Sequence, residues 1–150
     1  VRSPELGLVQ ATKQLGTALV AFSPLGRSLL TDRPHTTQKV ATMGFLKNNP
    51  RFIEPNLSAN NQATAKFRAL AAEMGTSAAA LSIAWLLHQS EHIIAIPGTR
   101  SVPHFLEHCA GARLSLSKEA IAQIESVLPV GWAHGDRYSQ QQWIGPERYC

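Results

Sequence analysis

The chain has 150 residues, of which 44% are hydrophobic and 16% charged, and it carries a net charge of +4 at neutral pH. This length suits one domain, and the composition excludes a disordered tail, which would be poorer in apolar residues and richer in charge. The apolar runs are short of the roughly 20 residues of a membrane span, and two cysteines cannot form a disulfide scaffold.

The first part of the chain is predicted to form a helix, a strand and a long loop. Ser3 and Pro4 are typical of a helix start, and Gly16 is placed to end that helix in the left-handed conformation. Residues 18–22 are apolar without alternation, which predicts a strand buried on both faces. Residues 31–57 are polar, contain three prolines and show no period, so we expect a long loop that closes over a ligand.

The second part alternates helices with one more strand. Residues 78–87 are apolar on most of a helical circumference, and residues 92–96 form a second short apolar strand. Gly75 separates the first two of four helices, and residues 129–150 are predicted to be an irregular tail. The residues expected to begin these helices are Ser58 or Asn60, Thr76, Ser101 and Ser117.

This order of elements indicates an α/β fold. Two buried strands joined through helices require a parallel sheet with a right-handed crossover. Because two strands do not make a stable sheet, we expect residues 1–150 to be part of a single larger domain. The chain also begins with Val1 instead of Met, which suggests that residues upstream have been removed.

Charge is unevenly distributed along the chain. Residues 1–68 contain nine basic and three acidic side chains, whereas the remainder contains five and seven. A basic segment can bind nucleic acid, an anionic membrane or a phosphate-bearing small molecule. There is no run of four basic residues and no interleaving of basic residues with aromatics, so we predict neither a nucleic-acid nor a membrane partner.

Both predicted strands are followed by a loop that could bind an anion. The loop Ser23–Arg27 offers a hydroxyl, backbone amides, a glycine and an arginine. The loop Pro97–Ser101 offers the same groups and then opens a helix, whose free amides attract phosphate. Because the carboxyl ends of parallel strands share one edge of a sheet, we expect the two loops to lie together. Pro-Gly turns of this kind are, however, most often only structural.

Metal binding is not predicted. His104 and His108 are four residues apart on one predicted helix, a spacing that can place two imidazoles on one ion. Two ligands do not make a site, and Cys109 points about 100° away from His108 on a helix of 3.6 residues per turn.

Several short motifs in the chain resemble the C-terminal half of the aldo-keto reductases, in the order and spacing of that family. They are Phe22–Arg27, Pro50–Phe52 with Asn56-Leu57, Ala84–Leu87, Ile96–Arg100, Leu106-Glu107 and Gly135–Tyr138. The resemblance implies the C-terminal portion of a (β/α)₈ barrel, with about two strands and four to five helices, that binds NADPH in an extended pose.

The resemblance also implies a role for particular residues. Ser23, Pro24, Leu25 and Arg27 would lie along the nicotinamide-side ribose and the pyrophosphate. Gly98, Thr99 and Arg100 would hold the adenosine end, with Arg100 on the 2′-phosphate, and His104, Glu107 and His108 would surround the 2′-phosphate and adenine. His108 departs from the family's common Asn, and Ser28 replaces a frequent Gly.

The family's catalytic Asp, Tyr, Lys and His tetrad has no predicted counterpart here, so no catalytic residue is assigned. The resemblance implies the NADPH-binding half of a cytoplasmic oxidoreductase that reduces an aldehyde or ketone, with the N-terminal half of the barrel as its partner. A non-catalytic nucleotide-binding or interaction module is the alternative. A start codon close to residue 1 would favour that module, whereas upstream sequence with a Tyr and a Lys at strand ends would favour the enzyme.

Overall fold

Both apolar runs form strands in a computed structural model that describes residues 7–143. The first strand, β1, is Leu19–Phe22, and the second, β2, is Ile93–Ile96. They lie side by side and parallel, with Leu19 opposite Ile93 and Phe22 opposite Ile96. The prediction of an α/β fold with a parallel sheet is therefore confirmed.

The described residues contain six α-helices, one more than predicted. They are α1 (Leu8–Gln14), α2 (Thr37–Ala41), α3 (Asn56–Glu73), α4 (Ala78–His88), α5 (Val102–Arg113) and α6 (Lys118–Val127). The predicted start of the first helix at Ser3-Pro4 lies outside the described residues. Gly16 and Gly75 follow α1 and α3 with φ of +65° and +68°, a left-handed conformation that glycine adopts without steric cost.

Two helices start one to four residues away from the predicted positions. In both cases, a side chain that precedes the helix binds one of its first amides. At α3, which begins at Asn56 instead of Ser58 or Asn60, the Glu54 carboxylate accepts from the Ser58 amide at 3.2 Å. At α4, Ser77 is the cap instead of Thr76, and its hydroxyl accepts from the Ala80 amide at 3.1 Å. The predicted cap of α6, Ser117, is confirmed.

The prediction of a structureless loop over residues 31–57 is wrong. This segment contains α2 and two short 3₁₀ turns, Leu46–Asn48 and Pro50–Phe52. Its apolar residues are too widely spaced to show a helical or strand period, yet they converge in space. Together with Leu29 they form a buried cluster that contains Val40, Leu46, Phe52 and Leu57.

The main core lies between α3, α4 and α6. Its largest fully buried side chain is Phe67, and Leu81 and Ile124 pack into the same cluster from the other two helices. Helix α4 is buried from Ala78 to Ala84, as its apolar circumference predicted. No single helix within residues 7–143 is long and apolar enough to cross a membrane; α3 and α4 meet the requirement of length and composition only together, across a 90° bend.

The prediction that β1 is buried on both faces is wrong for the described residues. Val20 and Phe22 of β1 and Ile94 and Ile96 of β2 are each about half exposed. The register places these four side chains on one face of the sheet, and no element within residues 7–143 buries them. An apolar run without alternation indicates that both faces are apolar, but it does not say which part of a protein covers each face.

Candidate functional site

The two predicted anion-binding loops begin side by side at the same edge of the sheet. Phe22 and Ile96 are the last residues of their strands and are partners in the register. Because the strands are parallel, Ser23 and Pro97 leave the sheet in the same direction. This juxtaposition is the one expected from the sequence.

The loop after β1 has an unusual backbone. Ser23, Arg27 and Ser28 have positive φ values of 53°, 55° and 83°, a region that non-glycine residues adopt at a steric cost. The Ser82 hydroxyl on α4 donates to the Pro24 carbonyl at 2.8 Å, and the Leu25 carbonyl accepts from the Leu30 amide at 3.1 Å. The loop is therefore tied to the helical core at its centre.

The side chain of Arg27 contacts two aromatic rings that are nearly perpendicular to each other. Its guanidinium carbon is 4.8 Å from the centroid of Phe45 and 4.9 Å from that of Tyr138. One of its Nη atoms donates to the Arg137 carbonyl at 3.4 Å. A guanidinium is attracted to an aromatic face by the ring quadrupole, so these rings orient Arg27 without neutralising its charge.

Two further arginines, Arg51 and Arg137, lie close to Arg27. The Arg137 guanidinium carbon is 4.6 Å from the ring centroid of Phe22, at the end of β1. Burial lowers the pKa of Arg51, and the positive charges of Arg137 and Arg27 lower it further, whereas Asp136 acts in the opposite direction. Three arginine side chains therefore lie near one aspartate, and the site is electropositive.

A cleft of about 570 Å³ opens beside these side chains. The residues that line it include Ser23, Pro24 and Arg27 from the loop, Arg51 from the turn Pro50–Phe52, and Arg137 from the tail. The exposed apolar side chains of β1 continue the same wall. The cleft thus combines an apolar surface with a cluster of guanidinium groups, a combination suited to a ligand with an apolar ring and an anionic group.

The loop after β2 is exposed and leads into α5. Gly98, Thr99 and Arg100 are all exposed. The Thr99 hydroxyl accepts from the Ser101 amide at 3.1 Å. Ser101 is the N-cap residue of α5, as predicted, but its side chain makes no capping hydrogen bond. The first amides of α5 are therefore not bound by a capping side chain, which leaves them open to an external anion.

The three candidate residues on α5 differ in exposure. His104 is exposed, Glu107 is half-buried, and His108 is only 7% exposed. Gly111, one turn after His108 on the same face, contacts the backbone of Ala80 on α4. His108 therefore lies on the side of α5 that packs against α4, and not on an open surface.

Because His108 is buried, we expect its protonation to affect stability. Desolvation lowers the pKa of His108, His104 lowers it further, and Glu107 acts in the opposite direction. The unfolded chain therefore binds a proton at His108 more readily than the native state as pH falls through about 6.5. We expect the free energy of unfolding to fall over that range, and we expect the His108→Asn variant to lose less stability than the wild type.

Urea unfolding at pH 7.5 and at steps down to pH 5.0 measures this difference. His35, whose pKa is also lowered by burial and by Lys39, stays in both proteins and accounts for a shared part of the pH dependence. An identical pH dependence in the two proteins would show that His108 is protonated equally in the native and unfolded states.

Sequence reasoning missed the residues that join the tail to the site. Asn49 and Asn60 are fully buried. The Asn49 amide donates to the carbonyl of Arg137 at 2.9 Å, and the Asn60 amide donates to the carbonyl of His134 at 3.0 Å. The Arg51 Nε donates to the Gly135 carbonyl at 3.2 Å. The only sequence signal was that Arg51 and Gly135–Tyr138 belong to the motifs that carry the family resemblance. An isolated asparagine gives no such signal.

Within residues 7–143, no group of three or more His, Cys, Asp and Glu side chains is close enough to hold a metal ion. His104 and His108 share a helix, but only His104 is open to solvent.

Comparison with known proteins points to one family. The family model described as the aldo/keto reductase family matches residues 1–129. A probable aldo-keto reductase from Glycine max is 31% identical over 137 residues, which cover 91% of this chain and 39% of that protein. An aldo-keto reductase from Strobilurus tenacellus is 26% identical over 137 residues, which cover 91% of this chain and 41% of that protein.

Solved structures show the same fold. A glycerol dehydrogenase from Gluconobacter oxydans matches with a TM-score of 0.69 at 24% identity, over 85% of this chain and 39% of that one. A thermostable aldo-keto reductase in complex with the inhibitor epalrestat matches with a TM-score of 0.57 at 24% identity, over 85% of this chain and 36% of that one. The chain thus spans about two fifths of the length of the proteins it matches.

Proposed function

The chain belongs to the aldo/keto reductase family, and from this membership we propose that it holds NADPH for the reduction of an aldehyde or ketone. The family supports an oxidoreductase, and it confirms the predicted resemblance and the predicted fold, a portion of a (β/α)₈ barrel. The choice of NADPH, the direction of transfer and the carbonyl substrate are the proposal.

The observation that carries the proposal is the meeting of two anion-suited loops at the carboxyl ends of β1 and β2. Active sites of (β/α)₈ barrels are built at this end of the strands. One loop presents the guanidinium of Arg27, and the other presents Arg100 and the open amides of α5. A dinucleotide carries anionic groups at its centre and, in NADPH, one more at the adenosine 2′ position, so two separate cationic sites fit it.

The residues of the two loops fit the parts of NADPH in order. Ser23, Pro24, Leu25 and Arg27 would hold the nicotinamide-side ribose and the pyrophosphate, next to the cleft. Gly98, Thr99 and Arg100 would hold the adenosine end, where no other atom lies within 4 Å of the position that a Cβ would take at Gly98. On α5, His104 and Glu107 would contact the 2′-phosphate and adenine. His108 fits less well, because it is buried.

NADPH, when bound, supplies the hydride, and the protein orients it. In this proposal the residues of this chain bind and position the dinucleotide and shape the apolar wall of the cleft. The proton donor to the carbonyl oxygen would come from a part of the barrel that this chain does not contain. The half-exposed side chains of β1 and β2 would be covered by that part, which makes it the expected partner, and the cytoplasm is the proposed compartment.

Arg100 decides the preference for NADPH over NADH. A charge-assisted hydrogen bond to phosphate contributes about 1.5–3 kcal/mol, which corresponds to roughly 10- to 150-fold in affinity. In the whole protein that contains this chain, we expect Arg100→Ala to raise the dissociation constant for NADPH by about this factor. The dissociation constant for NADH should change by less than about twofold. Both are measured by quenching of tryptophan fluorescence.

Arg113→Ala is the matched control, because Arg113 is exposed at the opposite end of the same helix. It removes the same charge without touching the loop, so the ratio of the two dissociation constants should not change. An Arg100→Ala protein with an unchanged ratio would contradict the assignment of Arg100 to the 2′-phosphate.

A further inference from the structure

The conformation of the loop after β1 needs support from outside the loop. Its non-glycine residues in the left-handed region are Ser23, Arg27 and Ser28, three of the six residues between β1 and Leu29. L-residues avoid this region because Cβ comes too close to the neighbouring backbone. Such conformations persist only where surrounding contacts over-determine them.

For Arg27, the surrounding contacts come largely from the tail. Tyr138 covers one face of the guanidinium at 4.9 Å, and the adjacent Arg137 carbonyl accepts its hydrogen bond at 3.4 Å. Phe45 also contacts the guanidinium, at 4.8 Å, and its ring is nearly perpendicular to that of Tyr138. Tyr138 is itself held between Phe45 and Trp143, with edge-to-face ring contacts at 6.4 and 5.1 Å.

The tail segment that carries Tyr138 is fixed by buried amide groups. Asn49 donates to the Arg137 carbonyl at 2.9 Å and to the Gln142 side chain at 3.1 Å, one on each side of Tyr138. The Gln142 amide in turn donates to the Phe45 carbonyl at 2.8 Å. Tyr138 is only 7% exposed, so it acts on Arg27 from a rigid position and not as a mobile surface ring.

We propose that Tyr138 is a positioning residue. It holds the side chain of Arg27 and, through Arg27, keeps the loop after β1 in the conformation that binds NADPH. Tyr138 does not line the cleft itself in this view; it acts through Arg27. The inference rests on the proposed function for its ligand, but the holding of the loop can be measured without any ligand. With this role of Tyr138, the tail takes part in binding the cofactor, in addition to any contact with the carbonyl substrate.

The first test is hydrogen exchange of the whole protein in the absence of NADPH. The amides that report on the loop are those of Gly26 and Leu30, which donate to the carbonyls of Ser23 and Leu25. We expect Tyr138→Leu to speed their exchange by about 3- to 30-fold, the range of a lost cation–π contact, because leucine fills the space but has no ring quadrupole. Tyr138→Phe keeps the ring and should exchange as the wild type does.

The second test is a double-mutant cycle on the dissociation constant for NADPH. Tyr138→Leu should raise this constant by about 3- to 30-fold in the wild-type background. In the Arg27→Ala background, the same change should raise it by less than about twofold, because Tyr138 acts through Arg27. A residue with a merely structural role would have equal effects in the two backgrounds.

The two tests separate failure of this inference from failure of the proposed function. Unchanged exchange at Gly26 and Leu30 in Tyr138→Leu, or equal factors in the two backgrounds, overturns the positioning role. A wild-type protein that does not bind NADPH overturns the proposed function, and the exchange data then still decide whether Tyr138 holds the loop. Thermal unfolding of Tyr138→Leu identifies a global loss of fold, in which case Arg27→Ala, which removes the same contact from the other side, replaces it and should speed exchange at Gly26 and Leu30 relative to the wild type; unchanged exchange in that variant overturns the positioning role.

Discussion

Replacing Asn60 by alanine should lower the free energy of unfolding by about 3–5 kcal/mol. Asn60 lies on α3 and is fully buried. Its side-chain oxygen accepts from the His134 amide at 2.7 Å, and its nitrogen donates to the carbonyls of His134 and Arg51 at 3.0 Å each. The substitution leaves the amide and carbonyl of His134 and the carbonyl of Arg51 without this partner, and each such group costs about 1–3 kcal/mol where water does not replace it.

The loss should also loosen the tail from the site, because His134 precedes the residues that contact Arg27. Urea unfolding of the whole protein measures the change, and Asn48→Ala serves as the control. Asn48 is exposed, so its replacement should change the free energy of unfolding by less than about 0.5 kcal/mol. Equal stabilities of the two variants would mean that water takes over the hydrogen bonds of Asn60.

Replacing Gly111 by valine should lower the free energy of unfolding by about 3 kcal/mol or more. A Cβ at Gly111 would lie 2.6 Å from the Ala80 carbonyl oxygen and 2.8 Å from the Ala80 Cα. These are backbone atoms of the buried helix α4, which cannot move aside as a flexible side chain would. The two helices must therefore separate, at a cost typical of overpacking a core and above the gain in helix propensity over glycine.

Gly111→Ala and Gly44→Ala form a matched pair for this prediction. A Cβ at Gly44 meets nothing within 4 Å, so Gly44→Ala should be close to neutral, whereas Gly111→Ala should already be destabilising. Arg100 lies two residues before α5, so a valine at Gly111 that displaces α5 should also weaken NADPH binding. A stable Gly111→Val protein would contradict the close approach of α4 and α5.

Much of the local structure could be predicted because its causes are local. The apolar runs at β1 and β2, the glycines after α1 and α3 and the hydroxyl cap of α6 act over a few residues. The differences arose where a neighbouring side chain, and not the expected one, binds an amide at the start of a helix. Glu54 binds the Ser58 amide of α3, and Ser77 binds the Ala80 amide of α4.

The candidate site was predictable in part for the same reason. Parallel strands bring their carboxyl ends to one edge, so the meeting of the loops at Ser23 and Pro97 followed from topology alone. The contact between Arg27 and the tail could not be predicted in this way, because the hydrogen bond joins Arg27 to Arg137, 110 positions away. Stacking of a guanidinium on a tyrosine has no signature in the sequence around either residue.

The sequence by itself determined the family, the α/β class, the parallel order of the strands and the two loops that follow them. These depend on short motifs and on hydrophobic runs, which the neighbouring residues alone specify. Only the tertiary structure decided that residues 31–57 form a second apolar cluster, that Asn49 and Asn60 bind the tail, and that Tyr138 covers Arg27. Buried amides and aromatic faces are satisfied by partners that come close only when the chain has folded, and no local pattern records which partners those are.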